Sequence, residues 1–117
     1  GSDRLDFTYI DDLVQGLVKV VANEESKNQI FNLTFGFSQS ISEMVEILTE
    51  HFPGVKVHFL PKDDLMPDRG TLSVDKARAL LGYEPSWSLK SGFPKYIDWY
   101  KELFRDIKNT GKINLLF

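Results

Sequence analysis

Along this chain the spacing of apolar residues switches repeatedly between two periods, and that switching restricts the fold more than any other feature. Leu5-Asp6-Phe7-Thr8-Tyr9-Ile10 alternates and is rich in aromatic and β-branched residues, as a strand is. Leu13, Leu17, Val20 and Val21 then recur at helical spacing. Gln29 to Thr34 reads as a second strand, and Ile41, Met44, Val45, Leu48 and Phe52 as a second helix. Val55 to Leu60 alternates again, with Val55, Val57 and Phe59 on one face. A short helix over Val74, Ala77, Leu80 and Leu81 follows, and Leu89 to Phe104 is helical with Phe93, Ile97, Tyr100 and Phe104 on one stripe. The order predicts an α/β (mixed α+β) arrangement: a small three-stranded sheet, some of its pairing parallel, with four or five helices.

Local punctuation supports these boundaries. Asp11 or Asp12 is placed to cap the first helix. Ser40-Ile41-Ser42-Glu43 is a capping box, in which hydroxyl and carboxylate each satisfy an orphan amide of the helix start. Pro53-Gly54 stops the second helix, Ser73 caps the third and Gly82 ends it. Pro94 has to lie in a first turn or mark a break between two helices. Pro61 to Gly70 reads as a polar loop, and Ile113 to Phe117 carries a weak strand signal. Gly1-Ser2 resembles a cleavage scar from an expression tag, which leaves 3–117 to interpret. The abrupt start in a strand, without Met, suggests a stretch cut from a longer chain.

Composition then removes whole classes of function. At 42% apolar and 13% aromatic the chain has the material for a core. No apolar run approaches the ~18 residues of a membrane span, and no signal peptide is visible. With no Cys there is no disulfide scaffold, thiolate metal site or Cys nucleophile. That usage fits a reducing compartment, so the cytoplasm is the expected location. A net charge of −3 argues against nucleic acid as the main partner. The charge is uneven: residues 1–60 hold four Lys/Arg and nine Asp/Glu, and residues 61–117 hold ten and eight. An anionic small molecule is therefore better placed in the second half.

Catalytic chemistry is sparse. His51 and His58 lack metal-ligand spacing, and no Gly-x-Ser-x-Gly elbow occurs. Gly36 stands alone, so neither a Gly-rich phosphate loop nor a dinucleotide fingerprint is present. Asp11-Asp12 and Asp63-Asp64 are adjacent pairs, which do not face each other as an acid/base dyad would; capping accounts for the first and solvation for the second. Asn32-Leu33-Thr34 is a glycosylation sequon by pattern, discounted within an expected buried strand. Two arginines remain. Arg69, in Met66-Pro67-Asp68-Arg69-Gly70, precedes a helix, and a guanidinium offers paired donors to a phosphate. An ordinary surface pair with Asp68 or Asp64 is the competing explanation. Arg4 lies in the first strand.

Arg4-Leu5-Asp6-Phe7-Thr8-Tyr9-Ile10-Asp11-Asp12-Leu13-Val14 resembles a signature of the extended short-chain dehydrogenases/reductases, the NAD-dependent epimerases and dehydratases of nucleotide sugars. Ile30-Phe31-Asn32-Leu33, Ser40-Ile41-Ser42-Glu43-Met44, Asp75-Lys76-Ala77 with Leu80-Leu81-Gly82-Tyr83-Glu84-Pro85, and Leu89 to Tyr100 resemble later pieces in the same order. The resemblance covers nearly all of 4–104. It implies the C-terminal, substrate-binding region (3–117) of a Rossmann-type two-domain enzyme, without the N-terminal dinucleotide-binding half. It implies a nucleotide-sugar substrate and NAD or NADP in the parent enzyme. Arg69 and Arg4 are then the candidate substrate-binding residues. Arg69 stands where family members grip the diphosphate. Arg4 is offset by one residue, because Leu5 takes the place of the family's Arg, and one step along a strand turns a side chain to the other face.

The family's Tyr-x-x-x-Lys pair is missing: Tyr9, Tyr83, Tyr96 and Tyr100 are followed four residues on by Leu13, Trp87, Tyr100 and Phe104. No catalytic, cofactor-binding or metal residue is therefore assigned, and the chain alone is expected to be inactive. Its expected partners are the missing cofactor half and, without that half, a second copy of itself. The alternative is a non-enzymatic α/β interaction domain that uses an aromatic surface around Trp87, Trp99 and Tyr100.

Overall fold

The computed structural model describes residues 2–61, 65, 67 and 69–110, with side chains through 105. A short strand β1 (Arg4–Leu5) leads into helix α1 (Ile10–Ala22) and a single 3-10 turn at Glu24–Ser26. Strand β2 (Gln39–Ser40) runs directly into α2 (Ile41–His51), followed by α3 (Asp75–Leu81) and α4 (Leu89–Thr110). None of these helices is long and apolar enough to cross a membrane.

The expected sheet is corrected. Among the described residues two strands pair, not three, and they run antiparallel, with Arg4 opposite Ser40 and Leu5 opposite Gln39. Residues 6–9 leave the ladder, and Ile10 already belongs to α1. Gln29 to Thr34 and Val55 to Leu60 are irregular. Their alternation describes a side-chain preference for a pleated surface, and such a segment becomes a strand only beside another strand. Among the described residues neither segment has one. In the first, Phe31 and Leu33 pack inward while Ile30 stays exposed. In the second, Val55, Val57, Phe59 and Leu60 are all exposed. The strand signal at 113–117 lies outside the described residues.

The helices follow their local signals more closely. The capping box at α2 forms: the Ser40 amide donates to Glu43 Oε2 at 2.6 Å, and the Glu43 amide donates to Ser40 Oγ at 3.1 Å. Gly82 ends α3 in the left-handed region at φ 61°, and the Tyr83 amide closes back on the Ala77 carbonyl. Other expectations shift. Tyr9, not Asp11 or Asp12, occupies the cap of α1. Val74 occupies that of α3, with the Ser73 hydroxyl accepting from the Asp75 amide at 3.2 Å. Pro94 breaks nothing: α4 runs through it as one helix. Only the Lys90 carbonyl, in the first turn, loses its partner.

The core divides into two clusters. One joins Val74, Ala77, Leu81 and Tyr83 with Val20, Phe31, Leu33 and Leu80, between α1 and α3. The other joins Ile47, Leu89 and Ile97 with Phe7, Met44, Leu48, Phe52 and Phe93, between α2 and α4. Polar anchors tie the clusters together. The Asp12 carboxylate accepts from the backbone amides of Ser86 (2.9 Å) and Trp87 (2.8 Å), and Gln39 Oε1 accepts from the Leu89 amide at 3.2 Å.

Candidate functional site

The two arginines singled out from the sequence belong to segments that the fold stitches together. Arg4 leaves β1 on the face opposite to Leu5 and folds against Ser38, donating from Nε to Ser38 Oγ at 3.2 Å and from Nη2 to the Ser38 carbonyl. Ser38 is buried, and its own amide donates to Thr71 Oγ1 at 2.9 Å. Thr71 lies two residues after Arg69. The chain from Arg69 to Thr71 is thus tethered to Ser38, the same residue that holds Arg4. Asp6 braces the arrangement, both of its carboxylate oxygens accepting from the Gly36 amide at 3.2 Å.

Within this cluster the two guanidiniums have different circumstances. Arg4 is occupied by Ser38. Its charge also acts on Glu43, whose carboxyl is held below the usual carboxylate range chiefly by the Ser40 amide that donates to it. Arg69 is exposed, and a Cβ added to the neighbouring Gly70 would meet nothing within 4 Å. An exposed guanidinium beside open backbone has the chemistry to bind a phosphate oxygen bidentately. Asp64 and Asp68, considered as its surface partners, lie outside the described residues, as does Asp63.

The remaining candidates resolve into structural roles. His51 Nδ1 lies 2.9 Å from the Ile47 carbonyl at the end of α2, and His58 is exposed. Asn32 of the sequon spends its amide on the Ser73 carbonyl at 3.0 Å. Among the described residues no group of three acidic or His side chains is placed to hold a metal.

Sequence reasoning missed the polar core. Asp12 is 1% exposed and anchors the turn before α4 instead of capping its own helix. Tyr83, read as part of a turn, is fully buried, and its hydroxyl donates to the Thr34 carbonyl at 3.0 Å. Burial, with the carboxylates of Asp12 and Asp6 adding to it, raises its hydroxyl to about 12. One signal was available: Asp12, Gly16 and Val20 share the inward stripe of α1 at i, i+4 and i+8.

A cavity of about 300 Å³ opens beside this turn, lined by Phe7, Tyr9, Trp87, Leu89, Phe93 and Tyr96 among others. The Tyr9 and Trp87 rings lie 5.2 Å apart, and Lys95 Nζ stands 4.4 Å over the Trp87 ring. Gly92 is what admits Tyr9, since a Cβ there would come within 2.9 Å of the ring.

No family model matches the sequence. Individual proteins do. The chain is 29% identical, over 95% of its length, to UDP-glucuronic acid decarboxylase 4 of Arabidopsis thaliana, covering 25% of that protein. It is 30% identical, over 90% of its length, to an uncharacterised UDP-glucose epimerase of Bacillus subtilis, covering 34% of it. Among solved structures, an epimerase of Methanothermobacter thermautotrophicus superposes with TM-score 0.84 at 31% identity, over 94% of this chain and 33% of that one. The UDP-glucuronic acid 4-epimerase of Bacillus cereus, in complex with UDP-glucuronic acid and NAD, superposes with TM-score 0.79 at 28% identity, over 88% of this chain and 33% of the other. The chain thus spans about a third of the length of the proteins it matches.

Proposed function

We propose, on the premise that this chain is a relative of the extended short-chain dehydrogenases/reductases, the NAD-dependent epimerases and dehydratases of nucleotide sugars, that it serves as their substrate-binding portion. It binds the diphosphate of a nucleotide sugar and holds the sugar for chemistry done elsewhere. Arg69 is the principal grip. Arg4 contributes less, because Ser38 already engages its guanidinium. The observation that carries this reading is the tether from Ser38 to Thr71, which sets the Arg69 loop beside β1.

Among the described residues, the glycine between β1 and β2 offers no cradle for a dinucleotide cofactor. Gly36, the isolated glycine of the β1–β2 region, has φ 80°, and the Val74 side chain fills the space beside it, 2.9 Å from where a Cβ would stand. That packing argues against a pyrophosphate on the Gly36 backbone. NAD or NADP is therefore assigned to the part of the relatives' length that this chain does not span. The same part is proposed to cover the exposed apolar face of α1, formed by Ile10, Val14, Leu17, Val18 and Val21. Without it, that face favours self-association.

A second reading, a protein-interaction domain without an enzymatic role, draws on the exposure of Trp99 and Tyr100. Titrating nucleoside diphosphate sugars into the full-length protein that carries this stretch separates the two. In the first reading Arg69→Ala weakens binding roughly 10- to 100-fold, as loss of a charge-assisted hydrogen bond of ~1.5–3 kcal/mol requires, and Arg4→Ala weakens it less. Equal binding by wild type and Arg69→Ala would sink the assignment of Arg69, and no binding by either would favour the second reading.

A further inference from the structure

Arg69 lies in backbone that does not hold itself in place. Arg69, Gly70, Leu72 and Ser73 are all exposed, and a Cβ on Gly70 would meet nothing within 4 Å. A stretch with so little packing leaves a guanidinium free to wander. Further along, the chain is held at Ser73, whose carbonyl accepts from Asn32 Nδ2 at 3.0 Å, and at Val74, which is buried in the first core cluster. Between those holds and Arg69 stands the bond from the Ser38 amide to Thr71 Oγ1, at 2.9 Å. Ser38 is a firm anchor for it. Ser38 is buried, Arg4 donates to its hydroxyl at 3.2 Å and to its carbonyl, and Gln39, the next residue, pairs with Leu5 in the sheet. Gln39 Oε1 also accepts from the Leu89 amide at 3.2 Å, so the Ser38 amide is fixed in place and in direction.

We propose that Thr71 is a positioning residue for phosphate binding: its hydroxyl, by accepting the Ser38 amide, holds Arg69 where the guanidinium meets the anion. This rests on Arg69 being the grip on the diphosphate, and adds the group on which that grip depends. Chain reach gives the size of the effect. Arg69 is two residues from Thr71, a reach of about 7 Å, and four residues from Ser73, about 14 Å. Loss of the bond at Thr71 therefore doubles the reach and enlarges the volume open to Arg69 roughly eightfold. The guanidinium is then found at the phosphate less often by about that factor.

The side chain at 71 has to supply an acceptor. A serine keeps the hydroxyl and loses only a methyl group. Valine has the shape of threonine and no acceptor, so the Ser38 amide loses its partner and the loop its tether.

The test titrates UDP, dTDP, ADP and GDP into the full-length protein that carries this stretch, by calorimetry, and follows whichever wild type binds most tightly. Thr71→Val is expected to weaken that binding roughly 3- to 10-fold, and Thr71→Ser to restore it to within about twofold of wild type. In an Arg69→Ala background Thr71→Val should cost nothing further, because Thr71 acts through Arg69. A purely structural role would instead lower affinity in both backgrounds. Thr71→Ala, which also lacks the acceptor, replaces the valine variant if that one does not fold. Wild-type affinity in Thr71→Val, while Arg69→Ala binds more weakly, would overturn the role of Thr71 and leave Arg69 as the grip. So would an equal loss in the two backgrounds, or no recovery with serine. No loss in Arg69→Ala, or no binding of any of the four by wild type, would overturn the reading of Arg69 and that of Thr71 with it.

Discussion

The Asp12 carboxylate on α1 accepts the backbone N–H of Trp87 at 2.8 Å, across 75 residues of sequence. With the Ser86 amide at 2.9 Å on its other oxygen, this one side chain fixes where the turn before α4 sits against α1. α1 flanks the first core cluster and α4 the second, so the relative placement of the two helices depends on a buried carboxylate held by two backbone donors.

Asp12→Asn should therefore be costly. The amide keeps one acceptor but turns an N–H₂ toward a backbone N–H, which leaves a buried donor unpaired. We expect a loss of about 2 kcal/mol, read as a fall of roughly 10 °C in the thermal midpoint. A change of a degree or less would mean that the Trp87 amide finds another partner.

Tyr83 should make stability fall at alkaline pH. Its hydroxyl ionises at about 12 in the folded chain, against 10 ordinarily. Between those values the unfolded chain has released the proton and the folded chain retains it. The contribution is thus complete below pH 10 and is lost as pH rises toward 12. Tyr83→Phe should lower stability by about 1 kcal/mol at neutral pH, through loss of the bond to Thr34, and flatten the decline above pH 10. Denaturant melts of both proteins from pH 8 to 12 check this.

At Gly92 two effects oppose each other. Alanine is favoured over glycine within a helix by about 1 kcal/mol. Its methyl would meet the Tyr9 ring at 2.9 Å, and overpacking of that kind costs ~1–3 kcal/mol. Gly92→Ala should be destabilising by about 1 kcal/mol in the wild-type chain and stabilising in a Tyr9→Ala background. A double-mutant cycle by chemical denaturation reads the sign change.

The capping box of α2 should carry the acid-side dependence. Ser40→Ala is expected to cost about 1 kcal/mol. Glu43 titrates below the usual carboxylate range in the folded chain, chiefly because the Ser40 amide donates to it. Its contribution is therefore present above the ordinary carboxylate value and is lost as pH falls through the lowered one. Glu43→Gln should remove that part of the acid slope, measured between pH 6 and 2, while α2 remains helical.

What the sequence by itself determined is the set of helices. Helical periodicity, the Ser40–Glu43 box and the left-handed stop at Gly82 act within one or two turns, so neighbouring residues suffice to specify them. The family resemblance was legible for a related reason, since it rests on short local runs in a given order. Only the tertiary structure decided the rest. Gln29 to Thr34 and Val55 to Leu60 have strand-like alternation, yet a strand is a relation between two segments, and alternation in one says nothing of whether the other is present. The direction of Arg4 depended on Ser38, 34 residues away, and the position of the Arg69 loop on the bond from Ser38 to Thr71. Asp12 looked like a helix cap because capping is local, and became a buried anchor because Ser86 and Trp87 bring it two amide donors from the far end of the chain. Hydrogen bonds that span the chain leave no periodic trace in it, so the contacts that shape the site could be seen only once the chain was folded.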